Sequence, residues 1–162
     1  MDDAEFDVRL SAAATRFRNL GPALRSGGPW PLAERFDHAP EAEWGPREIL
    51  AHLEEMLAYW FGEMERVVAM TDGPQPFGRV ATDNVRLAII ERDRTLPVEE
   101  LMTRVENGIE RWRRRWPDLV EPERDRTGIH QTLGELSVSD IASRFVSRHL
   151  EDHLRQLEAT LT

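Results

Sequence analysis

The stretch Ile141-Ala-Ser-Arg-Phe145-Val-Ser-Arg-His149-Leu-Glu-Asp-His153-Leu-Arg-Gln-Leu157 decides how the chain folds. Ile141, Phe145, His149, His153 and Leu157 recur every four residues, with Ala142, Val146, Leu150 and Leu154 beside them, so one face of a helix is apolar. Both histidines lie on that face. Residues four apart in a helix have Cβ atoms about 5–6 Å apart, close enough for two imidazoles to share one cation. A buried ring left without a partner costs about 1–3 kcal/mol, so the pair calls for a metal or for neighbouring side chains and water. Spacing alone leaves both open.

Just upstream, Ser137-Val-Ser-Asp140 is a helix-start signature, and the helix it launches runs to about residue 161. Residues 117–136, with His130, read as a long connection. Before it, Leu101, Val105, Ile109, Trp112 and Trp116 mark the buried side of a helix that opens with Pro97 in its first turn. That helix ends in Arg111-Trp-Arg-Arg-Arg-Trp116, where the arginines complement the C-terminal dipole and the tryptophans turn inward. A shorter helical piece covers about 82–94. Pro46 opens a helix to about residue 70, with Ile49, His52, Met56, Trp60, Met64 and Val67 on one face. His52 thus repeats the oddity of a histidine on a core stripe.

Residues 26–45 are rich in Gly and Pro and read as a loop, in which His38 is expected to be solvated. A first amphipathic helix spans 3 to about 25, and Gly21-Pro22 is expected to kink or end it. Alternating β-branched runs are nearly absent. The chain therefore reads as all-α: four long helices in a four-helix bundle, with the 82–94 piece as an additional short or broken helical segment.

At 162 residues the chain is one domain's worth, taken as 1–162. The absence of cysteine removes disulfides, thiolate ligands and an internal thiol nucleophile. All 21 basic residues are arginine, so lysine-based Schiff-base and phosphate-loop chemistry is excluded as well. A net charge of -9 opposes nucleic-acid binding. No apolar run suits a membrane span, and the acidic start is unlike a secretory leader, so a cytoplasmic protein acting on a small molecule is expected.

The levels of the histidines can be compared. His52 lies about 9 Å from its helix start and His153 about 12 Å from its helix end, so antiparallel helices bring them together. A parallel pair would leave a mismatch of about 7 Å.

Trp44-Gly-Pro-Arg-Glu-Ile-Leu-Ala-His52-Leu, His130-Gln-Thr-Leu-Gly134-Glu-Leu-Ser-Val-Ser-Asp140 and His149-Leu-Glu-Asp-His153-Leu-Arg-Gln156-Leu together resemble the DinB/YfiT-like superfamily. Nearly the whole chain takes part. The resemblance implies an up-down-down-up four-helix bundle, often a homodimer, with one divalent metal held by His52, His149 and His153. Where many relatives have His-Pro, this chain has His130-Gln131. Characterised members of the similar families are transferases or isomerases that use a bacterial low-molecular-weight thiol, of the bacillithiol or mycothiol type.

Three neutral imidazoles leave a divalent ion an open position, the pattern of catalytic sites. Zinc or nickel is the first expectation and manganese or iron the next. Thiol transfer to an electrophile is the leading reading. Its alternatives are hydrolysis by a metal-bound hydroxide and a non-enzymatic stress-response binding bundle. Glu48 and Glu55, four before and three after His52, are candidates to orient its ring or act as a base and equally read as solvated, and Asp152 is expected to be solvated. His130 is a candidate to line the site from its loop.

Overall fold

The computed structural model describes residues 3–34, 36 and 41–162. His38 lies outside the described residues. The chain is mostly helical, with a small three-stranded sheet. Among the described residues no helix is long and apolar enough to cross a membrane.

Helix α2 (Pro46–Val68) is central. Pro46 sits in its first turn, where a missing N–H costs nothing. Glu48, fully buried, reaches back to accept the Gly45 N–H at 3.2 Å. Ile49, Leu53, Met56, Leu57, Trp60, Met64 and Val67 are all buried along it. Helix α4 (Val98–Arg115) lies against α2, and Gly108 permits the close approach: a Cβ there would stand 3.0 Å from Leu57. Trp112 completes the seam by donating its indole N–H to the Leu57 carbonyl at 3.0 Å, so this fully buried ring leaves no polar atom unpaired.

Helix α1 (Asp3–Ser26) runs on through Pro22. The helix does not end at Gly21-Pro22, because Pro22 falls near the C-terminus, where few intrahelical bonds are at stake. The frayed end is satisfied from outside: Trp30 donates its indole N–H to the Leu24 carbonyl at 2.9 Å. Phe6 fills the space between Trp112 and Trp116, with ring centroids 5.9 and 4.5 Å away. Both tryptophans of the arginine run turn inward as read, while Arg114 and Arg115 pair with Glu110 and Glu65.

Helix α3 (Asn84–Asp93) is shorter than the 82–94 reading, and Asp83 caps it by accepting the Arg86 N–H. The stretch 117–136 is more structured than a connection. It holds a turn of α5 (Glu121–Arg124) and the hairpin β2 (Thr127–His130) with β3 (Gly134–Ser137). Strand β1 (Pro76–Phe77) joins β2 in parallel, pairing Phe77 with His130, and β2 meets β3 antiparallel. Strands of two to four residues cannot display an alternation, which is why the sequence pattern missed them.

Ser137 caps the last helix as the signature predicts: Ser137 Oγ accepts the Asp140 N–H at 3.0 Å, and Asp140 accepts the Ser137 N–H at 2.9 Å. That helix has three parts, α6 (Val138–Ile141), a π-helical stretch Ala142–Ser147, and α7 (Arg148–Thr160).

Side-chain contacts set the pair directions. His52 meets His149, and Trp60, eight residues later, stacks on Phe145, four residues earlier, so α2 and the last helix are antiparallel. Arg9 pairs with Glu151 and Arg16 with Glu158, so α1 runs parallel to α7. Phe6 meets Trp116 and Arg25 meets Glu99, so α1 and α4 are antiparallel.

Gly78 has φ +82°, and a Cβ there would lie 2.5 Å from the His130 ring. Gly78→Ala is therefore expected to destabilise the fold by about 1–3 kcal/mol. Gly62, in α2 with nothing within 4 Å of its built Cβ, is the contrast. Gly62→Ala is expected to stabilise by roughly 0.5–1 kcal/mol. Denaturant midpoints of the two variants should move in opposite directions; a neutral Gly78→Ala would contradict the packing described.

Candidate metal centre

The two faces read as apolar stripes meet with their histidines opposite one another. His52 Nε2 lies 2.8 Å from His149 Nε2, and His149 Nε2 lies 2.9 Å from His153 Nε2. Glu41, from a short 3-10 turn at Glu41–Glu43, brings an oxygen to 3.5 Å from His153 Nε2. One ligand atom from each of these four residues lies within 4.8 Å of all the others, a group that could hold a metal ion. Two nitrogens each about 2.0–2.1 Å from one ion stand about 3 Å apart, the separation found here.

Hydrogen-bond logic tests the fit. The Glu41 backbone carbonyl can only accept, so the Gln156 nitrogen that approaches it to 2.6 Å is its amide donor. The Gln156 oxygen then faces His153 Nδ1 at 2.8 Å, and that nitrogen carries the proton. In a neutral ring, His153 Nε2 is consequently a bare lone pair. It points at another imidazole nitrogen and at a carboxylate oxygen. That lone pair is matched either by an N–H donated from His149 Nε2 or by a cation, and the carboxylate oxygen beside it favours the cation. His149 Nε2 faces two other ring nitrogens and can offer either one N–H or one lone pair, so a hydrogen bond satisfies one contact well and leaves the other poorly matched. A shared cation satisfies all of them, and the donor set of imidazoles and a carboxylate suits zinc and its divalent neighbours.

Protons do not fill the role near neutral pH. Burial lowers the His52 pKa well below its ordinary value, and His153, His149 and Arg86 lower it further. Burial, then His153, brings His149 down to about 4. Burial also lowers His153, with the Gln156 hydrogen bond pulling the other way. All three rings are thus neutral, the form that ligates metals.

The other sequence candidates serve elsewhere. Glu48 accepts from the Ala33 and Gly45 N–H groups and from Arg94, tying Ala33 to α2 and to the end of α3, so its oxygens are engaged away from His52. Glu55 is buried in a two-pronged pair with Arg79 at 2.5 and 2.6 Å. His130 is buried away from the ligand group. It donates from Nε2 to the Arg79 carbonyl at 3.2 Å, accepts the Thr132 N–H on Nδ1, and stacks on Phe145 at 5.5 Å. It therefore supports the wall of the site and makes no contact with the ligand cluster. Asp152 is exposed and paired with Arg155, as read.

Glu41 and Arg86 went unnoticed in the sequence. Arg86 is buried, pairs with Glu41, donates to the Ala81 carbonyl at 2.9 Å, and lies 3.4 Å from His52 Nδ1. The cluster opens on a cavity of about 370 Å³ lined by Glu41, His52, His149, Arg79, Arg86 and the apolar groups around Trp60 and Phe145. Those two rings are parallel, 4.0 Å apart.

Compared with models of known families, with curated proteins and with solved structures, the chain matches none.

His149→Ala should abolish retention of a divalent metal while helical circular dichroism stays near that of the unaltered protein; loss of helix would mark the metal as structural instead. Gln156→Leu, which removes the acceptor for His153 Nδ1–H, is expected to weaken metal affinity about 10–100-fold by competition assay. The lowered histidine values also set a pH dependence for the metal-free protein. Unfolded rings titrate near 6.5 and folded ones lower, so their contribution is fully present above about 6.5 and is lost as pH falls through the folded values, His149's being about 4. Chelator-treated protein should therefore unfold at lower denaturant at about pH 5 than at about pH 7. A flat profile would contradict neutral burial.

Proposed function

We propose that this chain is a DinB/YfiT-like, divalent-metal-dependent transferase that activates an external low-molecular-weight thiol for attack on an electrophile. One observation carries the reading: the ligand cluster forms one wall of a cavity of about 370 Å³ and is not sealed inside the core. A structural metal needs no such access. The pair directions support a four-helix bundle in the up-down-down-up order, since α1 and the last helix run one way and α2 runs opposite to the last helix.

A divalent ion held by neutral imidazoles supplies a Lewis acid that keeps a thiol sulfur deprotonated near neutral pH. The rest belongs to the chain. With no cysteine of its own, it depends on a thiol from solution. Gln156 holds His153 in the tautomer whose Nε2 lone pair faces the site. Trp60, Phe145 and Met56 give the cavity an apolar wall that excludes water from the reacting sulfur and carbon. The sulfur forms the new bond to carbon, and the displaced group leaves with the old bonding pair.

Hydrolysis is a second reading, favoured by Glu41, a carboxylate at the cluster able to accept a proton from water. The homodimer is proposed from the resemblance and is tested by light scattering on the eluted protein.

The experiment reconstitutes the protein with zinc or nickel and follows the consumption of monochlorobimane with bacillithiol, mycothiol and related thiols. Metal-dependent turnover, absent in His52→Ala, is the expected result. No rate above the uncatalysed reaction with any thiol, in protein shown by elemental analysis to carry metal, would overturn transfer while leaving the metal reading intact.

A further inference from the structure

The cavity beside the cluster holds two buried guanidinium groups, and their pairings differ. Arg79 is sealed: its side chain is 8% exposed and that of Glu55 only 3%, both carboxylate oxygens are engaged, and Tyr59 covers the guanidinium at 3.6 Å. Nothing need be added to it. Arg86 is 6% exposed, yet its carboxylate partner, Glu41, is 32% exposed and also belongs to the ligand group.

Metal loading would remove one of Arg86's present contacts, leaving its bonds to Glu41 and to the Ala81 carbonyl. A ring that turns its Nε2 lone pair to an ion carries its proton on Nδ1, and a guanidinium, which only donates, cannot pair with it. His52 Nδ1, now 3.4 Å from Arg86, then ceases to accept. Glu41 meanwhile divides one negative charge, with one oxygen on Arg86 and the other facing the ligand group. A divalent ion with neutral histidines, Arg86 and a single shared carboxylate leaves this cavity with an excess of positive charge. Buried charge of that kind calls for a counter-charge. The remaining lining is apolar apart from Thr82: Trp60 and Phe145 stacked, with Met56, Val80 and Ala81 beside them.

We infer that the substrate of this site is a small organic anion with a planar apolar body, its carboxylate seated on Arg86 and its body against Trp60 and Phe145. This rests on the metal-dependent reading and adds the substrate class. Arg86 is then the specificity-determining residue, and Glu41 holds its place until the anion arrives.

The test is calorimetric titration of zinc-loaded protein with benzoate, with benzamide, which keeps the shape without the charge, and with acetate, which keeps the charge without the ring. A charge-assisted contact predicts that benzoate binds at least about tenfold tighter than either. Arg86→Gln should reduce benzoate to the level of benzamide. Equal binding of benzoate and benzamide, or no binding of either, overturns the inference without recourse to a variant. A benzoate preference that survives Arg86→Gln places the anion on the metal, which overturns the role of Arg86 and leaves the metal reading standing. If the protein takes up no zinc, the metal reading fails; metal-free Glu41→Gln, in which Arg86 has lost its carboxylate, should still prefer benzoate, and its failure to do so overturns the inference separately.

Discussion

Everything around the centre follows from one electrostatic constraint: the lone pair on His153 Nε2 is aimed at another imidazole nitrogen and at the Glu41 carboxylate. Gln156 fixes that lone pair, because its amide is itself fixed by the Glu41 carbonyl. A single N–H from neutral His149 could meet that lone pair but would leave the His52 contact poorly matched, and burial opposes charging a ring to supply a second proton. A divalent cation meets the lone pair and relieves the crowding of His52 and His149 nitrogens in the same place. The surrounding structure serves this convergence. Antiparallel packing of α2 against the last helix sets the level, the capping box at Ser137 fixes where that helix begins, and Trp60 on Phe145 locks the pair one level away.

The stability of the rest is conventional. Phe6, Trp112 and Trp116 fill the far end of the helices, and the close α2 and α4 contact at Gly108 is joined by the Trp112 indole N–H on the Leu57 carbonyl. Hydrophobic burial of this kind supplies the folding free energy, so the polar cluster can be poorly satisfied without a metal and the fold still persist. The π-helical stretch Ala142–Ser147 lies immediately before the two histidines, and such local widening recurs near functional sites. Here it directly precedes the turn that carries His149.

The helices and the histidines were legible because they obey a period. Ile141, Phe145, His149, His153 and Leu157 announce a helix face wherever the chain goes, and so does the stripe through His52. Glu41 and Arg86 obey none. Glu41 sits in a three-residue 3-10 turn and meets Arg86 and His153 through contacts between residues far apart in sequence. Gln156 was one helical turn beyond His153, a spacing that places it alongside the ring, though spacing alone does not show what its amide binds. The hairpin around His130 escaped because its strands are too short to alternate. The roles of Glu48 and Glu55 stay open in the sequence for a related reason: proximity along α2 to His52 says nothing about the arginines that other segments bring to them.

X-ray absorption at the metal edge, on tag-free protein loaded with zinc and desalted, tests the central claim most directly. The convergent ring nitrogens predict nitrogen or oxygen neighbours at about 2.0–2.1 Å with the multiple scattering of about three imidazoles. Zinc washed out by desalting, or a spectrum without imidazole scattering, would contradict it and return the three histidines to the role of buried polar groups.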